Sequence, residues 1–340
     1  MSLDNHDYLP VARTLKAAKK LWLTTHVKSD GDGIGCELAL VRALRKMGMD
    51  ARVINDTLVP KPLQFLAATP DEIQLYDPVR DDDFLRSVDT IVVLDVGLTY
   101  RLGRLEERFL ESGAEKICLD HHLDRDDIFT HVLADPDIGS TGEILFNLLR
   151  SVQVELDQTI ATPLFTAISV DTGSFSFERC TVRTFQIASE LVSAGADPYS
   201  IHLSLNWQRP LAELQLEGEV IQRLHRDVSG EIACSEVTGD MLNRYQIDPM
   251  EMPAVVNIPL ALAGVELALL FVEMEPCCVK VSARSKGRVR VNNLARRFGG
   301  GGHPLAAGFS VKAPLEQAKA LVLEAARQFL GHASTLCGSA

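Results

Sequence analysis

Three short β-rich apolar runs in this chain each end in residues suited to binding a cation. Residues 21–25 lead into Thr25-His26-Val27-Lys28-Ser29-Asp30-Gly31-Asp32-Gly33, residues 91–94 deliver Asp95, and residues 117–119 deliver Asp120-His121-His122. Such runs, alternating with helical periodicity, predict a mostly parallel α/β sheet. Ligands of open sheets of this kind bind past the carboxyl ends of the strands, which is where these residues fall. A fourth acidic position, Asp171, ends the apolar helical pattern at 164–170 and starts the turn Asp171-Thr172-Gly173-Ser174.

Singly, each position has an ordinary explanation. Asp30-Gly31 can be a solvated turn, Asp95 and Asp171 caps or turn formers, and His121 a core histidine. Four such coincidences on one sheet edge point instead to a metal. Two Asp beside a His repel each other in a dry site unless a cation neutralises them, and oxygen-plus-imidazole ligation suits Mn or Mg. Gly31-Asp32-Gly33-Ile34-Gly35 competes as a dinucleotide loop, but its spacing is not G-x-G-x-x-G, and Asp32 would oppose a pyrophosphate.

The 340 residues suffice for two cores, and 46% apolar with 24% charged residues argues against disorder. Helices are expected at 34–47, 101–111, 142–149, 159–170 and 182–194, with 71–89 an acidic connection. The pattern breaks near Asn206-Trp207-Gln208. We therefore expect a catalytic domain at 1–197, a linker at 198–212 and a smaller α+β domain at 213–340, with an active-site cleft between the two domains. The second domain should hold a helix at 212–226, strands at 231–237, 265–274 and 278–283, and a helix at 315–330.

The net charge of −12 argues against a protein that coats long nucleic acid. Seven scattered cysteines without a C-x-x-C pair suit reduced thiols and a cytoplasmic location. Residues 1–20 do not resemble a signal peptide, and the apolar run 255–272 is broken by Asn257, Pro259, Gly264 and Glu266, so no membrane span is expected. Residues 276–315 carry eight Lys or Arg and no acid. The run Gly299-Gly300-Gly301-Gly302 lets backbone N–H groups approach a phosphate, Arg284 can fork onto its oxygens, and His303 is a further donor. The alternatives are a flexible turn and a solvated basic face.

His26-x-x-x-Asp30-x-Asp32, Asp95, Asp120-His121-His122 and Asp171, in this order, resemble the four motifs of the DHH phosphoesterase superfamily. The run 299–308, Gly-Gly-Gly-Gly-His-Pro-Leu-Ala-Ala-Gly, preceded by Ser282-Ala283-Arg284-Ser285, is similar to the signature of the DHH-associated substrate-binding domain. Length and domain content resemble the bacterial oligoribonuclease and 3′-phosphoadenosine 5′-phosphate phosphatase group and its cyclic di-AMP phosphodiesterase relatives.

The resemblance implies two divalent cations, Mn²⁺ most often, with Mg²⁺ or Co²⁺ as substitutes. His26, Asp30 and Asp95 would hold one, and Asp32, Asp95, His121 and Asp171 the other. Asp120 would orient the histidines, His122 would face the scissile phosphate, and Arg284, Gly300, Gly301, Gly302 and His303 would bind substrate, with Arg284 also counted among the catalytic groups. The implied reaction is hydrolysis of short oligoribonucleotides to 5′-mononucleotides, or of 3′-phosphoadenosine 5′-phosphate to AMP, by two-metal-activated water. Cyclic di-AMP or linear pApA as substrate, and a catalytically silent nucleotide sensor, are the alternatives. A homodimer is a candidate assembly. Phe175 and Phe177 are equally suited to a base-stacking platform and to the core.

Overall fold

The structure is a computed structural model that describes residue 3, residues 5–249 and residues 255–336. The chain divides into two compact units, Met1–Gln208 and Arg209–Ala340.

The first unit runs α1 (Asn5–Ala17), β1 (Lys20–Thr24), α2 (Gly31–Lys46), β2 (Asp50–Asn55), β3 (Ile73–Leu75), α3 (Pro78–Ser87), β4 (Thr90–Leu94), α4 (Glu106–Glu111), β5 (Glu115–Asp120), β6 (His131–Ala134), α5 (Thr141–Ser151), α6 (Gln158–Asp171), α7 (Val182–Ser193) and α8 (Pro198–Asn206). Its six strands are all parallel, in the order β3-β2-β1-β4-β5-β6. The order reverses between β1 and β4, so the loops leaving these neighbours diverge and open a crevice at their carboxyl ends.

Side chains alternate across the sheet with the strand period of two. Leu21, Leu23, Val92, Leu94, Ile117 and Leu119 face a core built with α1, α2, α5, α6 and α7. Trp22, Ile54, Ile91 and Val93 face the opposite layer with Phe84, Leu85 and Phe109. Burial on both faces is why these strands read as unbroken apolar runs.

Helix α2 lies against α6 so closely that a Cβ on Gly35 would sit 2.4 Å from the Pro163 carbonyl oxygen. Gly31 likewise faces Val170 of α6 and Gly33 faces Thr25 just past β1, so close packing rather than a dinucleotide loop accounts for the Gly-x-Gly-x-Gly spacing. Gly35→Ala should cost about 2 kcal/mol net, because overpacking costs about 3 kcal/mol and the alanine helix preference returns about 1. The denaturation midpoint reads this out; an unchanged midpoint would refute the packing role.

The structure corrects several expectations. The segment 71–89 is not a bare connection: it holds β3 and α3, the latter capped by Asp77 through the Val79 and Arg80 amides with Pro78 in its first turn. The helix expected at 101–111 is broken. Gly103, at φ +63, breaks the 3₁₀ segment Thr99–Leu105 from within, and α4 follows that segment. The proposed linker 198–212 is mostly the helix α8, started by the Asp197 side chain on the Tyr199 amide. The division between units falls at Gln208 and Arg209.

The second unit contains α9 (Leu211–Gln222), β7 (His225–Arg226), β8 (Ile232–Val237), α10 (Gly239–Tyr245), α11 (Asn257–Leu260), β9 (Leu267–Glu275), β10 (Cys278–Ser285), α12 (Val291–Arg297), β11 (Gly301–His303), β12 (Ala306–Val311) and α13 (Leu315–Leu336). The sheet order is β11-β12-β10-β9-β8-β7, with only β8 and β9 paired in parallel. Val279, Val281, Ala283 and Phe309 pack one face against Leu294 of α12 and Val322 of α13. On the other face Leu270 and Val272 are covered by Leu216 and Val220 of α9 and Leu242 of α10. The helix expected at 212–226 ends at Gln222, and β7 follows it.

Among the described residues six cysteines are free, and Cys337 lies outside them. No described helix is long and apolar enough to cross a membrane.

Candidate metal centre

The crevice between β1 and β4 gathers all six of the side chains expected to bind metal. His26, Asp30 and Asp95 form one group, Asp32, His121 and Asp171 a second, and Asp95, His121 and His122 a third, each with ligand-type atoms within 4.8 Å of one another. Asp95 faces both sides: its Oδ2 lies 3.5 Å from His26 Nε2, and its Oδ1 lies 3.6 Å from His121 Nε2. Asp171 Oδ2 is 2.9 Å from His121 Nε2.

Each histidine is fixed from behind. His26 Nδ1 is 2.9 Å from the Val27 carbonyl oxygen and His121 Nδ1 is 3.4 Å from that of Ile138, so Nδ1–H donates there and Nε2 points into the cluster. His122 Nδ1 lies 2.7 Å from Asp120 Oδ1, which leaves its Nε2 as the outward atom. Asp120 Oδ2 is buried without a hydrogen-bond partner.

Local structure explains how the carboxylates reach their places. Asp30 caps α2, its Oδ1 accepting from the Asp32 and Gly33 amides at 3.0 and 3.3 Å. This capping role, which the sequence suggests for Asp95 and Asp171 rather than for Asp30, coexists with membership of the cluster. Asp95 leaves β4 in the left-handed region, φ +62, a strained conformation for a non-glycine residue that turns its side chain toward the neighbouring loops. Asp32 is held from an element that sequence reasoning did not connect to it. Its Oδ2 accepts from the Thr141 amide at 2.7 Å and its Oδ1 from the Gly142 amide at 3.0 Å. Thr141 Oγ1 donates to Asp95 Oδ1 at 3.0 Å. A helix was expected from residue 142; that its first amides serve Asp32 was not.

The electrostatics call for a cation. Burial and the neighbouring Asp95 charge push the Asp30 carboxyl up to about 6. Burial together with Asp95 and Asp171 pushes Asp32 well above the usual range. Burial opposes a charged His121, but Asp171, Asp95 and Asp32 outweigh it and push the imidazole up to about 10. Asp95 is also disfavoured by burial, yet His26, His121 and His122 hold it below the carboxylate range. Four carboxylates and two imidazoles form a donor set that fits divalent cations such as Mn²⁺ or Mg²⁺.

The second unit holds the remaining expected residues. The strand register sets Arg284 of β10 opposite Ala306 of β12, which is opposite His303 of β11, so all three share a sheet face. Ser282, Gly308 and Gly301 are aligned in the same way and leave that face without bulky side chains. Burial lowers the Arg284 guanidinium. The glycine run is less a free turn than expected: Gly301 and Gly302 belong to β11, and a Cβ on Gly300 would lie 2.3 Å from the Gly308 carbonyl oxygen. Several of the eight basic residues have bonds within the unit: Arg284 to the Ala283 carbonyl, Lys286 to the Leu262 carbonyl, Arg288 to Glu231 and Arg297 to Gln328. Phe175 packs on Phe165 and Phe185, while Phe177 is exposed.

The profile of the DHH family, N-terminal domain, matches residues 20–168, and that of the DHHA1 domain matches residues 230–332. A Thermus thermophilus protein named bifunctional oligoribonuclease and PAP phosphatase NrnA is 33% identical over 330 residues, 96% of this chain and 95% of the relative. The chain belongs to the DHH family. As a DHH-family protein it is a hydrolase acting on phosphate esters. A Geobacillus thermodenitrificans protein named cyclic-di-AMP phosphodiesterase GdpP is 26% identical over 293 residues, 84% of this chain and 43% of the relative. Among solved structures, an exopolyphosphatase-related protein from Bacteroides fragilis superposes with a TM-score of 0.90 at 26% identity, over 97% of this DHH-family chain and 98% of that one. RecJ from Thermus thermophilus in complex with Mn²⁺ shares the fold, with a TM-score of 0.53 at 16% identity over 97% of this chain and 54% of that one.

Proposed function

We propose that this chain is a divalent-metal-dependent phosphoesterase that releases 5′-mononucleotides from short oligoribonucleotides and removes the 3′-phosphate of 3′-phosphoadenosine 5′-phosphate. The observation that carries this reading is Asp95, whose two oxygens face two different ligand groups. In this reading His26 and Asp30 would hold one cation, Asp32, His121 and Asp171 would hold a second, and Asp95 would contribute to both. Bound divalent cations of this kind supply an activated water and neutralise charge on phosphoryl oxygens.

The protein side chains orient and exclude. Val27 and Ile138 carbonyls keep His26 and His121 in the tautomer that offers Nε2, and Asp120, accepting from His122 Nδ1–H, orients the His122 ring with Nε2 toward the substrate phosphate. Arg284 and His303, on one sheet face beside a floor of Gly301, Gly308 and Ser282, are assigned to a further phosphate of the substrate. The overall charge of −12 supports short rather than long nucleic acid as substrate. Free cysteines support a cytoplasmic setting.

The similarity to a cyclic di-AMP phosphodiesterase favours a second reading, in which cyclic di-AMP or its linear product pApA is the substrate. A Mn²⁺-supplemented assay on 2- to 24-mer RNAs, 3′-phosphoadenosine 5′-phosphate, pApA and cyclic di-AMP separates the two. We expect the highest kcat/KM on the shortest RNAs, falling at least about tenfold by the 24-mer, a difference of about 1.4 kcal/mol. Rates that rise with length would sink the proposal, and a preference for cyclic di-AMP would replace it with the second reading.

A further inference from the structure

We infer that Thr141 is a positioning residue that holds Asp95, while the first amides of α5 hold Asp32, so that both carboxylates are set for metal before any cation arrives. The inference rests on the metal-centre reading above and deepens it.

A helix leaves its first N–H groups without intrahelical partners, and a side chain at the N-cap ordinarily accepts from them. At α5 that position is Ser140, whose hydroxyl makes no cap bond and has no hydrogen-bond partner. The free amides of Thr141 and Gly142 go instead to the two oxygens of Asp32, from α2. An anion at a helix N-terminus also meets the positive end of the helix dipole. The Thr141 side chain is fully buried and adds a hydroxyl donor to Asp95 Oδ1.

Two further features require such a hold. Asp95 has a left-handed backbone, which persists only where the surroundings over-determine it; its amide is tied to the Leu119 carbonyl at 2.8 Å, and Thr141 ties its side chain. The start of α5 is itself immobilised, because Glu143 accepts from Thr184 Oγ1 of α7 at 3.1 Å and a Cβ on Gly142 would lie 2.9 Å from Ile168 of α6. A donor on a fixed helix end can impose geometry on a strained carboxylate; a donor on a loose loop cannot.

The test uses the full chain stripped of metal, with Mn²⁺ titrated and free Mn²⁺ followed by electron paramagnetic resonance. Thr141→Val keeps the volume and both amides and removes only the hydroxyl; Thr141→Ala and Thr141→Ser complete the set. We expect Thr141→Val and Thr141→Ala to bind Mn²⁺ about 10- to 100-fold more weakly, with Thr141→Ser returning to within about threefold of the parent. Unchanged affinity in Thr141→Val would overturn the inference. So would failure of Thr141→Ser to rescue, or loss of the metal-free fold by circular dichroism in both Thr141→Val and Thr141→Ala, since either would assign the residue to packing. Absence of Mn²⁺ binding by the parent protein would instead overturn the metal-centre reading.

Discussion

Asp95→Ala should lower kcat/KM on short RNA by about 10⁴-fold or more, about 5.4 kcal/mol of transition-state stabilisation. No other residue of the cluster faces two ligand groups through separate oxygens. Removing it strips one oxygen from each side and also leaves His26, His121 and His122 without the carboxylate they share. The loss should appear in kcat and in Mn²⁺ affinity together. His303→Ala, in the second unit, should act mainly on KM. Full activity in Asp95→Ala would refute the bridging assignment, whereas equal kcat losses in both variants would refute the division of roles.

The second large effect concerns pH. A metal-ligating imidazole must be neutral, yet the metal-free cluster pushes His121 up to about 10, so at neutral pH a cation must displace its proton. Apparent Mn²⁺ affinity should then rise about tenfold per pH unit for each proton displaced, or about a hundredfold from pH 6 to pH 8. Calorimetry in buffers of different ionisation enthalpy would show the proton release directly; pH-independent affinity would contradict it.

The same charges set the stability of the metal-free fold. His121 is raised above its ordinary value of 6.5, so its stabilising contribution is complete below that pH and is lost as pH climbs through about 10. Asp30 is raised from 3.8 to about 6, so its contribution is present below 3.8 and lost as pH rises through about 6. Both terms weaken the empty protein with rising pH while metal binding strengthens, and the gap in Tm between Mn²⁺-loaded and metal-free protein should widen from pH 5 to pH 8.

Much of this site was legible because its residues sit directly after apolar strand runs, where a parallel sheet must place them. His26, Asp95 and Asp120-His121-His122 needed only the strand ends to be found. Asp171 was legible as the end of an apolar helix. What could not be read was the tertiary partner of a local signal: a helix is expected from residue 142, but that its first amides are taken by Asp32 depends on where α2 and α5 meet. Edge elements were missed for a related reason. β3 has three residues and half of α3 is charged, so neither offers a clear apolar period, and the Asp77-Pro78 start was the one clue. The glycines of α2 suggested a ligand loop because close helix packing and close phosphate approach require the same missing Cβ.

The ordering of the site along the chain has a consequence for biosynthesis. His26, Asp30, Asp32, Asp95 and His121 are synthesised well before the Thr141-Gly142 amides that anchor Asp32 and before Asp171. A nascent chain that has emerged through β6 thus carries most of the acidic donors without the parts that lock them. In the metal-centre reading, the ligand set is complete only once α6, which ends in Asp171, has been made.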